Sequence, residues 1–327
     1  MTTAKSFKSA RLPKLRVAAR KSSFAHRHFT TLTTWSSEDF AATIKLARAM
    51  KSGRAPKAMM QALKGKIVAL MFEKDSLRTR FSFEVGARKL GGSSLFASNA
   101  GVRFLEREDL RDQARVMSRY VQGLVLRTFS QQTIDTISEF AAIPVINALS
   151  DFEHPCQGLA DAMTIEEHFG SLKGRKVVFI GDGFNVARSL FHVCALGGAK
   201  FVLSSPAEHK FDPDTLGPNV TDENYRWEAD PARAAAGADV LYTDAWTSMG
   251  QESETVKRQK KFAGFTIDAA MLARAPQAIV MHCLPCHRGE EISEEAMEGA
   301  QSRVFDEAEN RLWSQMAVMA LLTQNYK

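Results

Sequence analysis

Residues 282–291 read HCLPCHRGEE. Cys283, Cys286 and His287 spell C-x-x-C-H, the spacing of covalent haem attachment, and His282 adds a further group of the kind that binds zinc. Other short stretches carry chemistry of a different sort. S-L-R-T-R (76–80) sets two hydroxyls and two guanidiniums at one turn. If that turn opens a helix, its unpaired N–H groups and the forked Arg78 make a phosphate site. R-T-F (127–129) and H-P-C-Q (154–157) are rich in donors. Arg127, a neutral His154 and Gln157 can surround a carbonyl oxygen that gains negative charge under attack. Pro155 suits a first helical position, with His154 beside the free N–H groups. Taken singly, each has a plain structural explanation: a solvated basic helix start, or a histidine that caps or packs.

Two cofactor readings fail on spacing. G-D-G-F-N-V-A (181–187) suggests a dinucleotide loop, but the third small residue is due at Val186 and Ala187 falls one late. The next strand candidate ends in LSSP, without the acidic residue that would hold a ribose. The four cysteines, Cys156, Cys194, Cys283 and Cys286, contain no second C-x-x-C to close a structural zinc site. They are also too few and too unevenly placed for a disulfide framework, which points to a reducing compartment and away from covalent haem.

The elements that must position these residues alternate. KIVALMFEK (66–74), SSLFAS, GLVLRTF (123–129) and IPVINALS (143–150) read as buried strands, separated by helical stretches such as RTRFSFEVGARKLGG, DLRDQARVMSRYV and TIDTISEFAA. A long helix over HPCQGLADAMTIEEHFG leads to a second series: GRKVVFIGDG (174–183), KFVLSSP, DVLYTDAW (239–246) and QAIVMHCLP (277–285). A last helix lies near ENRLWSQMAVMALLTQ. Strands alternating with helices imply an α/β chain of two domains, each a parallel sheet flanked by helices. The chemically able clusters all follow strands, at the ends where such sheets bind ligands, so they converge on an interdomain cleft.

At 327 residues the chain has room for two domains. Its net charge of +6 belongs to the start: residues 1–27 hold eight Lys/Arg and no acid, and removing those eight leaves −2. A near-neutral body argues against nucleic-acid binding. No apolar run is long enough to span a membrane. The basic stretch fits either a disordered extension of a cytoplasmic protein or a mitochondrial transit peptide, and it lacks the apolar region of a secretory signal.

Several segments together resemble the aspartate/ornithine carbamoyltransferase family: FEKDSLRTRFSFEVGARKLGG, VMSRYVQGLVLRTF, DFEHPCQGLADAMTIEEHFGSLKG, DAWTSMGQE, HCLPCHRGEE and VFDEAENRL. The likeness runs from about His28 to the C-terminus. S-x-R-T-R and H-P-x-Q look like signatures of the whole family; S-M-G and H-C-L-P look like its ornithine branch. The resemblance implies transfer of a carbamoyl group from carbamoyl phosphate to L-ornithine, giving L-citrulline and phosphate in arginine metabolism. It implies no metal and no organic cofactor. Ser76, Leu77 (through its backbone), Arg78 and Thr79 are implied to bind phosphate, and Arg127, His154, Gln157 and Arg311 to hold the carbamoyl end. Asn185, Asp244, Ser248, Met249, Cys283 and Leu284 are implied to grip ornithine. Arg78, Arg127, His154, Asp244 and Cys283 are the implied catalytic set. A carbamoyl-phosphate-binding domain over 28–160, an ornithine-binding domain over 161–307, a C-terminal helix (308–327) returning to the first domain, and a homotrimer with shared sites complete the expectation.

The chain departs from the family pattern in four places. Leu77 stands where threonine is usual, Asp75 where proline is usual, and Phe184 replaces an asparagine. VRFLERED (102–109) replaces a loop resembling QLGRGES that reaches into a neighbouring subunit; Arg103 takes the place of its glutamine, and two flexible glycines are lost. These departures keep two alternatives open: a carbamoyltransferase for N-acyl-ornithine or putrescine, or a catalytically weak binding or regulatory relative.

Overall fold

The computed structural model describes residues 28–102, 108–247 and 252–323. In the first half, β1 (Ile67–Phe72), β2 (Ser93–Ser98), β3 (Gly123–Arg127) and β4 (Val145–Leu149) form one sheet. In the second, β5 (Lys176–Ile180), β6 (Lys200–Ser204), β7 (Tyr225–Trp227), β8 (Val240–Thr243) and β9 (Ile279–His282) form another. Every pairing is parallel. The longer helices are α1 (Ser37–Lys51), α2 (Leu77–Lys89), α3 (Leu110–Tyr120), α4 (Gln131–Phe140), α5 (Pro155–Phe169), α6 (Asn185–Gly197) and α7 (Val304–Thr323).

The inner strands read as unbroken apolar runs because both faces are covered, whereas the edge strands β2 and β7 are partly exposed. Along β1, Val68, Leu70 and Phe72 enter a large central core while Ala69 and Met71 face a smaller outer one. In β5, Val177 and Phe179 join that same central core, and Val178 and Ile180 join the outer layer of the second sheet. The period-two alternation of a strand thus sorts residues between two apolar layers. One continuous core joins the halves.

The strand orders are β2-β1-β3-β4 and β7-β6-β5-β8-β9. In each half the chain leaves the first strand to one side and later returns to the other, so the winding reverses between β1 and β3 and again between β5 and β8. Crevices open at such reversals, at the carboxyl ends of the strands. α7 packs on α1, α2 and α5 and so returns to the first half. Its approach to α2 needs Gly86, where an added Cβ would stand 3.0 Å from Met319 Cε and 3.1 Å from Met316 Cγ.

Several elements were not singled out in the sequence, among them α1, β7 and a number of shorter helices. α1 is announced by a capping box, with Ser36 accepting from the Asp39 N–H at 3.1 Å. β7 has three residues, too few for a periodic signal. No helix among the described residues is long and apolar enough to cross a membrane.

Candidate active site

A cavity of about 480 Å³ lies where the two crevices face each other. Its first wall is cationic. The turn after β1 brings Lys74, buried with Nζ 2.5 Å from Asp151 Oδ1 and 4.1 Å over the Phe129 ring. Ser76 caps α2, its Oγ accepting from the Thr79 N–H at 3.3 Å. That leaves the hydroxyl hydrogen of Ser76 and the N–H groups of the first helical turn for a ligand. Leu77 is 71% exposed, so its side chain makes no core contact that another residue would be needed to replace. Arg78 and Thr79 follow on the same turn. Arg127 enters from the end of β3, and Arg311 comes from α7.

Burial and the neighbouring Arg311 and Arg78 push Arg127 down to about 10, which still leaves it cationic at neutral pH. Burial and the same cations hold His154 well below its ordinary value, so its imidazole is neutral. His154 is the N-cap of α5, has no side-chain capping bond, and donates its own N–H to Ser189 Oγ at 2.8 Å.

The second wall carries acid and thiol. Asp244 follows β8 and Cys283 follows β9, adjacent strands that bring the two together. The Cys283 Sγ–H donates to Asp244 Oδ1 at 3.0 Å, and the Ala245 N–H donates to the same oxygen at 2.8 Å. Burial raises both groups above their usual values, so Cys283 is a thiol rather than a nucleophilic thiolate. Asn185 opens α6, donating to Ser150 O at 2.7 Å and accepting from the Val186 N–H at 2.8 Å. Leu284, with φ 58°, donates its N–H to His282 Nδ1 at 2.9 Å.

The cavity therefore gathers Ser76, Leu77, Arg78, Thr79, Arg127, His154, Arg311, Asn185, Asp244, Cys283 and Leu284 from distant parts of the chain. Gln157 is different: it is 1% exposed and lies behind the lining. Its Oε1 accepts from Arg311 Nη1 at 2.5 Å, and its Nε2 donates to Asp161 and Glu307. Ser248, Met249, Arg103 and residues 1–27 lie outside the described residues. Lining residues that motif reading did not assign a role include Lys74, Thr247, His287 and Glu290. All four sat within quoted segments, Lys74 in FEKD, Thr247 in DAWTSMGQE, and His287 and Glu290 in HCLPCHRGEE, but none was given a role at this site.

The opening C-x-x-C splits in space. Cys283 faces Asp244 in the cavity, whereas Cys286 does not line it and packs against the outer core of the second sheet. The glycines of G-D-G have local work: Gly181 has φ +151°, and a Cβ on Gly183 would stand 2.5 Å from His209 O.

Residues 27–167 match the family model "Aspartate/ornithine carbamoyltransferase, carbamoyl-P binding domain", and residues 173–322 match its "Asp/Orn binding domain". An ornithine carbamoyltransferase of Symbiobacterium thermophilum is 45% identical over 306 residues, 90% of this chain and 97% of that protein. Another, from Gloeobacter violaceus, is 46% identical over 287 residues, 86% of this chain and 90% of that protein. The ornithine carbamoyltransferase structure from Pyrococcus furiosus superposes with a TM-score of 0.87 at 38% identity, covering 94% of this chain and all of that one. Two matched domains in sequence order, together with relatives aligned over almost their full length, establish that the chain belongs to the aspartate/ornithine carbamoyltransferase family.

Proposed function

We propose that the chain transfers the carbamoyl group of carbamoyl phosphate to the δ-amine of L-ornithine, releasing L-citrulline and phosphate. The observation that carries this reading is the polarity of one cavity: Arg78, Arg127 and Arg311 on one wall, Asp244 and Cys283 on the other. A phosphorylated carbonyl suits the first wall and a cationic amino acid the second.

In this mechanism the first turn of α2 and Arg78 hold the phosphate, while Arg127, Arg311 and neutral His154 donate to the carbonyl oxygen. The δ-amine attacks the carbonyl carbon, a C–N bond forms, and the tetrahedral intermediate collapses as the C–O bond to phosphate breaks. The departing phosphate takes up the amine's proton. Free ornithine opposes this, because an amine titrating near lysine's 10.4 is only about 0.1% neutral near pH 7.4, a handicap of about 4 kcal/mol. The cationic wall offsets part of it by disfavouring an ammonium at the reacting position. Asp244 and the Cys283 thiol receive and orient the neutral amine. Gln157 acts on the carbamoyl end through Arg311.

Residues 28–160 with the returning C-terminal helix form the carbamoyl-phosphate half of this reading, and 161–307 the ornithine half. A homotrimer with shared sites belongs to it as well, supported by Leu77, Phe81, Leu95 and Tyr120, large apolar side chains exposed on the first half. The reading places the protein in the cytoplasm; a matrix location follows instead if residues 1–27 prove to be cleaved in cells.

The test is citrulline formation by protein lacking residues 1–25, with putrescine and N-acetylornithine run in parallel and Arg78→Ala as control. Turnover is expected with ornithine and is expected to fall by about 100-fold or more in the variant, as for loss of a transition-state donor. Turnover with another amine alone assigns a different acceptor. Carbamoyl phosphate binding without any turnover overturns the catalytic reading.

A further inference from the structure

Behind the cavity, out of reach of solvent, two acids meet that the transfer chemistry does not use. Asp161 on α5 and Glu307 on α7 are both fully buried. Gln157 Nε2 donates to Asp161 Oδ1 at 2.8 Å and to Glu307 Oε1 at 2.7 Å. The Tyr242 hydroxyl approaches the same two oxygens at 3.3 and 2.9 Å. The two carboxyl groups therefore lie side by side around the same two donors and out of water, where like charges disfavour ionising both, so the pair keeps a proton.

Two chains of bonds leave this pair. With its nitrogen held by two acceptors, the Gln157 amide must turn its oxygen to Arg311, whose Nη2 reaches Thr79 Oγ1 at 3.1 Å. On the other side, Glu307 Oε2 accepts the His282 backbone N–H at 2.9 Å, at the strand end that carries Cys283. One buried pair thus anchors a donor of the cationic wall and the backbone of the opposite wall.

We propose that Glu307 and Asp161 are positioning residues of this active site, an acid–carboxylate pair holding one proton that orients Gln157 and Arg311 and fixes the strand end bearing Cys283. The proposal rests on the carbamoyl-transfer reading for its functional consequence. Burial raises both carboxyl groups, Glu307 well above the ordinary range and Asp161 to about 7, and the proximity of Asp161 adds to the rise at Glu307. The groups facing the pair are Arg311 from α7, Tyr242 from β8, His282 and Cys283 from the end of β9, and Cys194 from α6. Tyr242, Cys283 and Cys194 are raised by burial and stay neutral, and the cation of Arg311 balances the pair's single negative charge.

The test compares wild type, Glu307→Gln and Glu307→Ala. Glutamine keeps the acceptor for the His282 N–H and a donor toward Asp161 and has no proton to lose; its nitrogen replaces the oxygen that accepted from Gln157 and Tyr242, which leaves both with Asp161 as acceptor. The glutamine variant should retain kcat within about three-fold near neutral pH, while alanine lowers kcat/KM for carbamoyl phosphate by about ten-fold or more through loss of alignment. The ratio of wild-type to glutamine-variant rate should fall as pH is raised into the alkaline range, because only wild type can lose the proton. Infrared difference spectra should show a buried carboxylic-acid band in wild type that Glu307→Gln lacks. Equal damage in both variants at unchanged Tm, or no carboxylic-acid band, overturns the proposal. Should the alanine variant not fold, the glutamine variant and the band carry the test. Wild type that makes no citrulline would sink the substrate reading, while the infrared band would still decide the proton.

Discussion

Arg127 shows what the site costs at the scale of a single residue. It is buried, and Arg311 and Arg78 repel its charge, which is why its proton is held less firmly than usual. Keeping a cation buried beside two others costs stability, and its charge is placed to serve an anion or a developing oxyanion in the cavity. Arg127→Met should therefore lower kcat for citrulline formation by about 100-fold or more. Its Tm should stay level or rise, since the substitution removes a buried, repelled charge. Calorimetry beside the kinetic assay checks both halves. A large fall in Tm would show that Arg127 is chiefly structural. His154 follows the same logic in reverse: its neighbours keep it neutral, so it serves as a hydrogen-bond donor and not as a charge.

At the scale of elements, three helix starts frame the cavity. α2, α5 and α6 begin at Ser76, His154 and Phe184, and only Ser76 spends its side chain on capping. Just before α5, Glu153 ties the N-terminal segment to this region, accepting from Thr31 Oγ1 at 2.5 Å and the Leu32 N–H at 2.9 Å. His192 of α6 stands 3.6 Å away. Burial pushes Glu153 up to about 7 and His192 down to about 3. A carboxyl whose folded pKa exceeds its unfolded value contributes most below the unfolded pKa, and that stability is lost as pH rises through the folded value. From 4.5 to about 7, the loss amounts to about 3 kcal/mol. Glu153→Gln should remove it, so the stability gap in favour of glutamine widens between about pH 5 and pH 8 in urea titrations. A gap that does not change with pH would mean that Glu153 is ionised throughout. His192 acts in the opposite window, costing stability as pH falls from 6.5 toward 3.

For the whole molecule, α7 is the brace, packing on α1, α2 and α5 and carrying both Glu307 and Arg311. Outside that brace, the first half keeps apolar residues in solvent. Leu95 lies on the edge strand β2 and is 59% exposed, an arrangement that isolated chains avoid. Light scattering should report three chains per particle, and Leu95→Lys should shift the mass toward one. An unchanged mass in the variant would place the contact elsewhere, and a monomeric wild type would remove the shared site from the reading.

Both parallel sheets were legible in the sequence because their inner strands are covered on two faces and so are written as short, unbroken apolar runs; the edge strands β2 and β7 are partly exposed and lack that signal. The family was legible because its signatures are local, each held within one strand end and the turn after it. Ser76, Arg78, Arg127, His154 and Cys283 could be singled out for the same reason, since residue type and position after a strand are properties of a few neighbours; Asp244 entered only through the family likeness. The burial of acids was not legible. Glu153, Asp161 and Glu307 look like ordinary helix-start or helix-surface carboxylates, and Glu307 meets Gln157 across 150 positions. Nor could the motif H-P-C-Q say that Gln157 sits behind the cavity, or C-L-P-C that its two thiols part company. Local sequence determines which backbone forms and which chemistry is at hand. Only the packing of α5, α7, β8 and β9 decides which polar groups lose water, and with it which of them must share a proton or a partner.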